Sequence, residues 1–335
     1  MCRIRRQFGV WGHASAVTLD ELLAGATSRE VLAHPDGKSG VLFERVVIDG
    51  ERFVVKHLHV DDDWIMRATG DVRCRPLVVW RSGLLDRLPA SIDHAIVGVA
   101  DGLGRNGWGA AILMRDVAPW LVPEGDALLD PEQEARLLDH MAELHAAFWG
   151  WEDDCGLAAL GSRYTYFTPM LTELEAGRAT VVPRIVGEGW GRAAASMPDI
   201  IALRDEPWDL IAALEALPQT FLHGDWKLGN LGSHPDGRTI LLDWAVPGAG
   251  TCLSELGWWL ALNTRRLPSG KDGNIELYRA ALERHGIDTS SWWDRGIDLA
   301  LLGALVQFGW EKAFEGPGPE LDWWLERARA GLARL

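Results

Sequence analysis

The sequence predicts an α+β chain of two lobes, a small β-rich first lobe with an antiparallel sheet and a larger helical second lobe. Three observations predict it. Two alternating apolar runs, Val41–Ile48 and Glu51–Leu58, flank Asp49-Gly50, a dipeptide that favours a tight hairpin. Beyond residue 130 apolar residues recur at helical spacing. Between the two regimes runs Asp116–Pro123, a connector with two prolines. The expected division is 1–116 and 117–335. A length of 335 residues also suits about two units of roughly 150 residues.

The elements follow in order. Arg29–His34 reads as a strand and Pro35–Gly40 as a turn, before the 41–48/51–58 hairpin. Asp61–Thr69 and Leu77–Leu88 read as helices, and Ala95–Val99 and Ala110–Met114 as two more strands. Asp130-Pro131 opens the next helix well, with Asp as N-cap and Pro at the first helical position. Its apolar face carries Leu137, Leu138, Met141, Leu144, His145 and Phe148. Short strands are expected at Phe221–Leu222, Leu231 and Thr239–Leu242. Helices are expected over Ser254–Leu262, Asn274–His285, Ser291–Phe308 and Pro319–Leu335.

Composition excludes several classes. The net charge of −15 argues against a general nucleic-acid binder, which needs a basic footprint. No apolar run approaches the ~18 residues of a membrane helix. The basic start, Met-Cys-Arg-Ile-Arg-Arg, is not followed by a long apolar stretch, so a signal peptide is not expected. Cys2, Cys74, Cys155 and Cys252 are scattered, which fits a reducing cytoplasm. No membrane or protein partner is indicated. Two oddities stand out: 18 tryptophans, and only five lysines, Lys38, Lys56, Lys227, Lys271 and Lys312.

Some motifs fail their context. Gly102–Gly107 matches GxGxxG, but a strand follows it where a dinucleotide site needs a helix. It reads as a hairpin turn. Gly37-Lys38-Ser39 resembles the end of a phosphate-binding loop, yet Leu32 stands where that motif needs glycine. His140 and His145 lack metal-ligand spacing, and His145 reads as a structural histidine.

The run Phe221–Leu231, FLHGDWKLGNL, carries the chemistry. Asn230 follows Asp225 by five residues, and Asp243 follows Asn230 by thirteen, at the end of an apolar strand. Ser233–Arg238 between them is turn-forming, so a hairpin would set Asn230 beside Asp243. An amide oxygen and a carboxylate make a hard site suited to Mg²⁺ shared with phosphates. Asp225 would face the same cleft and could take a proton from a hydroxyl nucleophile, as phosphoryl transfer requires.

HGDWKLGN followed by ILLDW resembles the aminoglycoside phosphotransferase and choline kinase group of the protein-kinase-like superfamily. The resemblance extends to Phe53–Lys56, Ile112–Val117, Met141–Trp149 and Gly250–Gly257. It implies the bilobal kinase-like fold and transfer of the γ-phosphate of ATP, or GTP, to a small-molecule hydroxyl with Mg²⁺. By the same resemblance Asp225 and Lys227 are catalytic, Asn230 and Asp243 hold the metal, and Lys56 holds nucleotide phosphates. Backbone groups at Arg115 and Val117 would meet the base, while Ser39 and Gly40, with Lys38, would cover the phosphates. Glu255 is implied to be structural. The helix Glu that normally pairs with the strand lysine is missing, since no Glu lies between Glu51 and Glu124. Asp71, fifteen residues after Lys56, is the expected substitute, with Asp61–Asp63 as others. The acceptor would sit near Asp225 against residues such as Trp226, Trp244, Trp258, Trp259, Trp310, Glu311 and Asp322. An acidic, Trp-rich pocket favours an amino sugar, aminoglycoside or choline-like alcohol. The alternative, motivated by the missing Glu, is a nucleotide-binding pseudokinase or regulatory module. Protein kinase activity is disfavoured, because Asp243–Glu255 leaves no room for a peptide-docking loop.

Overall fold

A computed structural model describes residues 17–32, 40–178 and 180–335. Five antiparallel strands form the first-lobe sheet in the order β1-β2-β3-β6-β5: β1 Ala26–Val31, β2 Leu42–Ile48, β3 Glu51–Leu58, β5 Ile96–Leu103 and β6 Gly109–Arg115. The expected hairpin is the β2–β3 connection. Asp49 and Gly50 both have positive φ, 51° and 81°, which matches the twist of the flanking strands. The Gly102–Gly107 run joins β5 to β6, with Gly102, Gly104 and Gly107 all left-handed. The first strand lies earlier than the sequence suggests, at 26–31 instead of 29–34.

Strand period decides where Lys56 goes. Phe53 and Val55 turn one face of β3 into a small core with Val46, Ile48, Ala111 and Leu113. Lys56 therefore leaves from the opposite face. The expected helix over 77–88 breaks in two, Arg75–Arg81 and the 3₁₀ turn Leu84–Arg87, because the left-handed Gly83 stands between them.

The rest is mainly helical. Pro131–Ala147 starts as expected, with Asp130 accepting from the N–H groups of Glu132 and Gln133. Cys252–Asn263, Gly270–Arg284, Trp293–Glu315 and Pro319–Leu332 form the C-terminal half. Small sheets lie among them. Strands β8 Leu231–Ser233 and β9 Thr239–Leu241 pair antiparallel, and β4 Ile92–Asp93 joins β9 in parallel. Strand β7 Thr220–Leu222 pairs with β10 Gly248–Gly250, a strand the sequence did not announce. No helix among the described residues is long and apolar enough to cross a membrane.

One ion pair links the short helix Trp64–Ala68, from the first lobe, to the helical lobe. Arg67 grips Glu175 with two bonds of 2.6 and 2.7 Å. The same guanidinium donates to the carbonyls of Val60 and Asp61. The side chains are 10% and 1% exposed, so breaking the pair strands a nearly buried charge. Glu175→Gln should therefore destabilise the protein by about 3 kcal/mol at pH 7, measured by denaturant unfolding. A loss below about 1 kcal/mol, the range of exposed pairs, would contradict this account.

Candidate active site

The site is assembled by backbone constraints before any charged group acts. After β7 the chain turns sharply through His223-Gly224-Asp225. Gly224 has φ +89°, and a Cβ there would stand 2.0 Å from the Val246 carbonyl oxygen and 2.1 Å from Arg163 Nη2. Only glycine fits. The fully buried Glu255 carboxylate accepts the N–H groups of His223 and Gly224 and is met by His145 Nε2 at 2.9 Å. Burial pushes the Glu255 pKa up, but the hydrogen bond and charge of His145, with His223 and Arg163, bring it below the usual range. From the other side, buried Arg163 donates to Gly224 O at 3.0 Å and to Val246 O at 2.9 Å. One guanidinium thus ties the loop before Asp225 to the segment after Asp243. The Asp225 N–H donates to His223 Nδ1 at 3.2 Å, and burial lowers the pKa of that imidazole despite the acids around it. His223 thus braces the Asp225 backbone through Nδ1.

These constraints aim Asp225. Its Oδ2 accepts from Lys227 Nζ at 2.6 Å and from Asn230 Nδ2 at 2.8 Å, and its Oδ1 from Trp258 Nε1 at 3.0 Å. Burial pulls the Lys227 pKa down, but Asp225 and Asp243 outweigh it and hold the ammonium above its ordinary value. The β8–β9 register pairs Leu231 with Leu241, and Leu242 N–H donates to Asn230 O at 2.9 Å. The hairpin thereby sets Asn230 beside Asp243. The Asn230 amide nitrogen points at Asp225, which leaves its oxygen on the other side. That oxygen and the Asp243 carboxylate are hard donors of the kind Mg²⁺ takes together with phosphate and water. Among the described residues no cluster of three or more His, Cys, Asp or Glu offers a closed metal cage.

Asp243 is strained: it is one of four non-glycine residues described with positive φ, at 63°. Its Oδ1 lies 2.7 Å from Lys56 Nζ, across the cleft. Burial pushes the Asp243 pKa up, and Lys56 and Lys227 more than reverse this. Lys56 thus pairs with Asp243 rather than with Asp71. The Asp71 carboxylate accepts from the backbone N–H groups of Arg73 and Arg75, at the start of the helix Arg75–Arg81. The buried acid coupled to Lys56 is Asp63, 1% exposed and N-cap of Trp64–Ala68. Burial pushes its carboxyl up to about 6, opposed by Lys56 and assisted by Asp243.

The remaining expected residues divide. Lys38 and Ser39 lie outside the described residues. Gly40, with φ +87°, sits so close to Asp62 that a Cβ would meet its carbonyl oxygen at 2.8 Å. Arg115 ends β6, with its N–H on Ala95 O and its guanidinium on Asp93. Val117 is buried with Ala95 and Ile240 beneath the connector. Trp226 and Trp244 are corrections. They are 0% and 2% exposed core residues, and Trp244 stacks on Phe221 and meets His223 edge-on. Each tryptophan turns into the core, although the aspartate before it is bonded to a charged partner, Asp225 to Lys227 and Asp243 to Lys56. Trp310 and Glu311 are half-buried, and Trp310 packs on Phe167, 5.9 Å between ring centroids. Phe167 stacks in turn on Trp258.

Sequence reasoning missed Arg163, Phe167 and the role of Trp258. The first two carry no local motif. Trp258 stands three residues after Glu255, so it shares that helix face, a signal available in the sequence.

Two outcomes test this construction. Gly224→Ala should cost more than about 4 kcal/mol in thermal or denaturant unfolding. Gly237→Ala, at φ +93° in open space, should cost only about 1–2 kcal/mol. Equal costs would contradict the packing of the loop. Asp63 predicts a pH dependence. Its folded pKa lies above the ~4 of an unfolded Asp, so the Asp63 contribution to stability falls as pH rises from about 4 to about 6. Asp63→Asn keeps the cap and removes that slope. The variant's stability relative to wild type should therefore rise across this window, and a flat difference would contradict the burial of a charged Asp63.

Comparisons with known proteins identify the family and the fold. The profile of a family described as "Phosphotransferase enzyme family" matches residues 83–292, more than half of the chain. No curated protein matches. Among solved structures, amicoumacin kinase hAmiN, in complex with AMP-PNP, Ca²⁺ and Ami, is similar at 12% identity with a TM-score of 0.53, over 90% of this chain and 86% of that one. Choline kinase LicA from Streptococcus pneumoniae is 12% identical, TM-score 0.49, over 94% and 95% of the two chains. Aminoglycoside phosphotransferase APH(3'')-Id from Streptomyces rimosus is 19% identical, TM-score 0.48, over 86% and 96%. With its five-stranded antiparallel sheet, helical C-terminal part and HGD loop, the chain belongs to the phosphotransferase enzyme family and has the kinase-like fold.

Proposed function

We propose that the protein is an ATP-dependent small-molecule kinase that moves the γ-phosphate to an acceptor hydroxyl, with Asp225 as the group that takes the hydroxyl proton. The observation that carries this is the convergence on one cleft of Asp225, Lys227, Asn230 and Asp243 with Lys56 from the opposite sheet. The lobes would meet between residues 116 and 117.

In this reading Lys56 and Lys227 are cations for the nucleotide phosphates, a task suited to compact ammonium groups. Two of the chain's five lysines stand at this cleft. The backbone at Arg115 and Val117 would meet the base, and Gly40 would lie under the phosphate-covering loop. Asn230 and Asp243 would hold Mg²⁺, which when bound supplies charge neutralisation at the phosphates. AMP-PNP and Ca²⁺ in the amicoumacin kinase complex support a nucleotide and a divalent ion here. With the metal and phosphates engaged, Lys56 would exchange Asp243 for phosphate, with Asp63 as the buried charge that keeps it oriented. Asp225 lies beside the β8–β9 hairpin, where it can orient a hydroxyl for in-line attack on the γ-phosphorus. The P–O bond to the nucleoside diphosphate then breaks as the hydroxyl proton passes to the carboxylate.

The acceptor we infer is an amino sugar, aminoglycoside or related amino alcohol. Support comes from the net charge of −15 and from the half-buried rings of Phe167 and Trp310, with Glu311, near Trp258 and Asp225. The pairing of Lys56 with Asp243 instead of a helix acid favours the second reading, a nucleotide-binding module without transfer.

An ATP-coupled screen over aminoglycosides, amino sugars, simple sugars, choline and nucleosides separates the two. The kinase reading expects turnover with an amine-bearing alcohol. It also expects Asp225→Asn to lower kcat by about 10²–10⁴-fold with nucleotide affinity retained. Full activity in that variant would refute the assignment of Asp225. Tight Mg·ATP binding without turnover across the panel would favour the module.

A further inference from the structure

The three donors on Asp225 are not equivalent. Lys227 and Asn230 both reach Oδ2, and both have a second task in the proposed reaction, at phosphate and at metal. Trp258 reaches Oδ1, and it has no such task. Its indole nitrogen is a donor only, so it cannot take a proton from an acceptor or bind a metal. The ring is nearly buried, 5% exposed, and locked between neighbours. It stacks on Phe167 at 6.3 Å and 25°, and meets Phe308 edge-on at 4.8 Å and 74°.

Its helix adds a second constraint. Trp258 lies on Cys252–Asn263, one turn after Glu255, whose carboxylate holds the N–H groups of His223 and Gly224. One helix face therefore fixes the backbone leading into Asp225 and the rotamer of its side chain. Asn263, at the end of that helix, accepts from Leu228 N–H at 3.0 Å and holds the next stretch of the same loop.

We infer that Trp258 is the positioning residue of Asp225: its indole N–H fixes Oδ1 throughout the reaction, while Lys227 turns to phosphate and Asn230 also takes the metal through its amide oxygen. The inference rests on the reading of Asp225 as proton acceptor. With one lone pair of Oδ1 held by the indole, the other stays aimed at the hydroxyl. Because Trp258 also stacks on Phe167, the rings beside Asp225 and the carboxylate are set by one rigid group.

The test uses Trp258→Phe, which keeps a ring in place and removes the donor. Turnover of Mg·ATP with water as acceptor is the probe. Trp258→Phe should lower kcat by about 10- to 100-fold, the loss expected for one hydrogen bond to a charged group. KM for Mg·ATP should stay within about twofold, because Trp258 touches Asp225 and not the nucleotide. In an Asp225→Asn background the same substitution should change residual turnover by less than about twofold, because Trp258 acts through the carboxylate. An equal loss in both backgrounds would reduce Trp258 to a packing residue and overturn the inference, and so would an unchanged kcat. An independent measurement needs no turnover. In ¹⁵N-indole-labelled protein, the N–H resonance that Trp258→Phe removes should move upfield in Asp225→Ala, and a resonance that does not move would also overturn the inference. If Asp225→Asn itself keeps full activity, the underlying assignment of Asp225 fails instead.

Discussion

Lys56 and Asp243 are 187 residues apart in the chain and 2.7 Å apart in space, and this ion pair bridges the sheet and the helical lobe at the cleft. Two largely buried opposite charges tolerate burial only with partners. In the nucleotide-free chain they serve each other. The strand period of β3 places the lysine on the cleft side, and the left-handed backbone at Asp243 turns its carboxylate to meet it. Lys227 and Asp63 are coupled electrostatically to the same carboxylate. Four ionisable groups from four segments therefore share one small volume, and any polyanion with a divalent cation that enters it must rearrange their pairing.

The loop that carries Asp225 depends on a second layer of buried groups around it. Glu255, Arg163 and His223 hold backbone groups on either side of Asp225, and the glycine between His223 and Asp225 lets Val246 approach closely. The loop is over-determined, which is what a strained functional residue such as Asp243 requires of its surroundings. This layer also shows why an acidic protein keeps buried arginine and glutamate in its core. Glu255 meets two backbone N–H groups and His145, and Arg163 donates to two backbone carbonyls.

Local features were legible in the sequence and long-range ones were not. The Asp49-Gly50 hairpin, the Asp130-Pro131 helix start and the turn that brings Asn230 beside Asp243 all follow from short-range rules. The partner of Lys56 did not, because it depends on how two lobes pack. Asp71 had the right sequence spacing, yet its carboxylate is held by the N–H groups that follow it. Trp226 and Trp244 were misplaced for a different reason. Adjacency in sequence to Asp225 and Asp243 does not place a ring beside their carboxylates, and both indoles fill the core instead. Four of the five helices between residues 160 and 215 run to eight residues or fewer and none has a side-chain cap, so the sequence pattern shows only a helical tendency there. Family membership rests on the matched stretch 83–292 and the kinase-like fold, whereas Phe167, which packs on Trp258 and Trp310, belongs to no short motif.

The central claim is that Lys56, Asn230 and Asp243 form a site for a nucleoside triphosphate with its metal. Calorimetric titration of ATP with and without Mg²⁺, on wild type and on Asp243→Asn, tests it most directly. The account predicts that Mg²⁺ tightens ATP binding at least about tenfold in the wild type, a coupling of roughly 1.4 kcal/mol, and that Asp243→Asn abolishes this gain. Equal ATP affinity with and without Mg²⁺ in the wild type, or a gain that survives in Asp243→Asn, would contradict it.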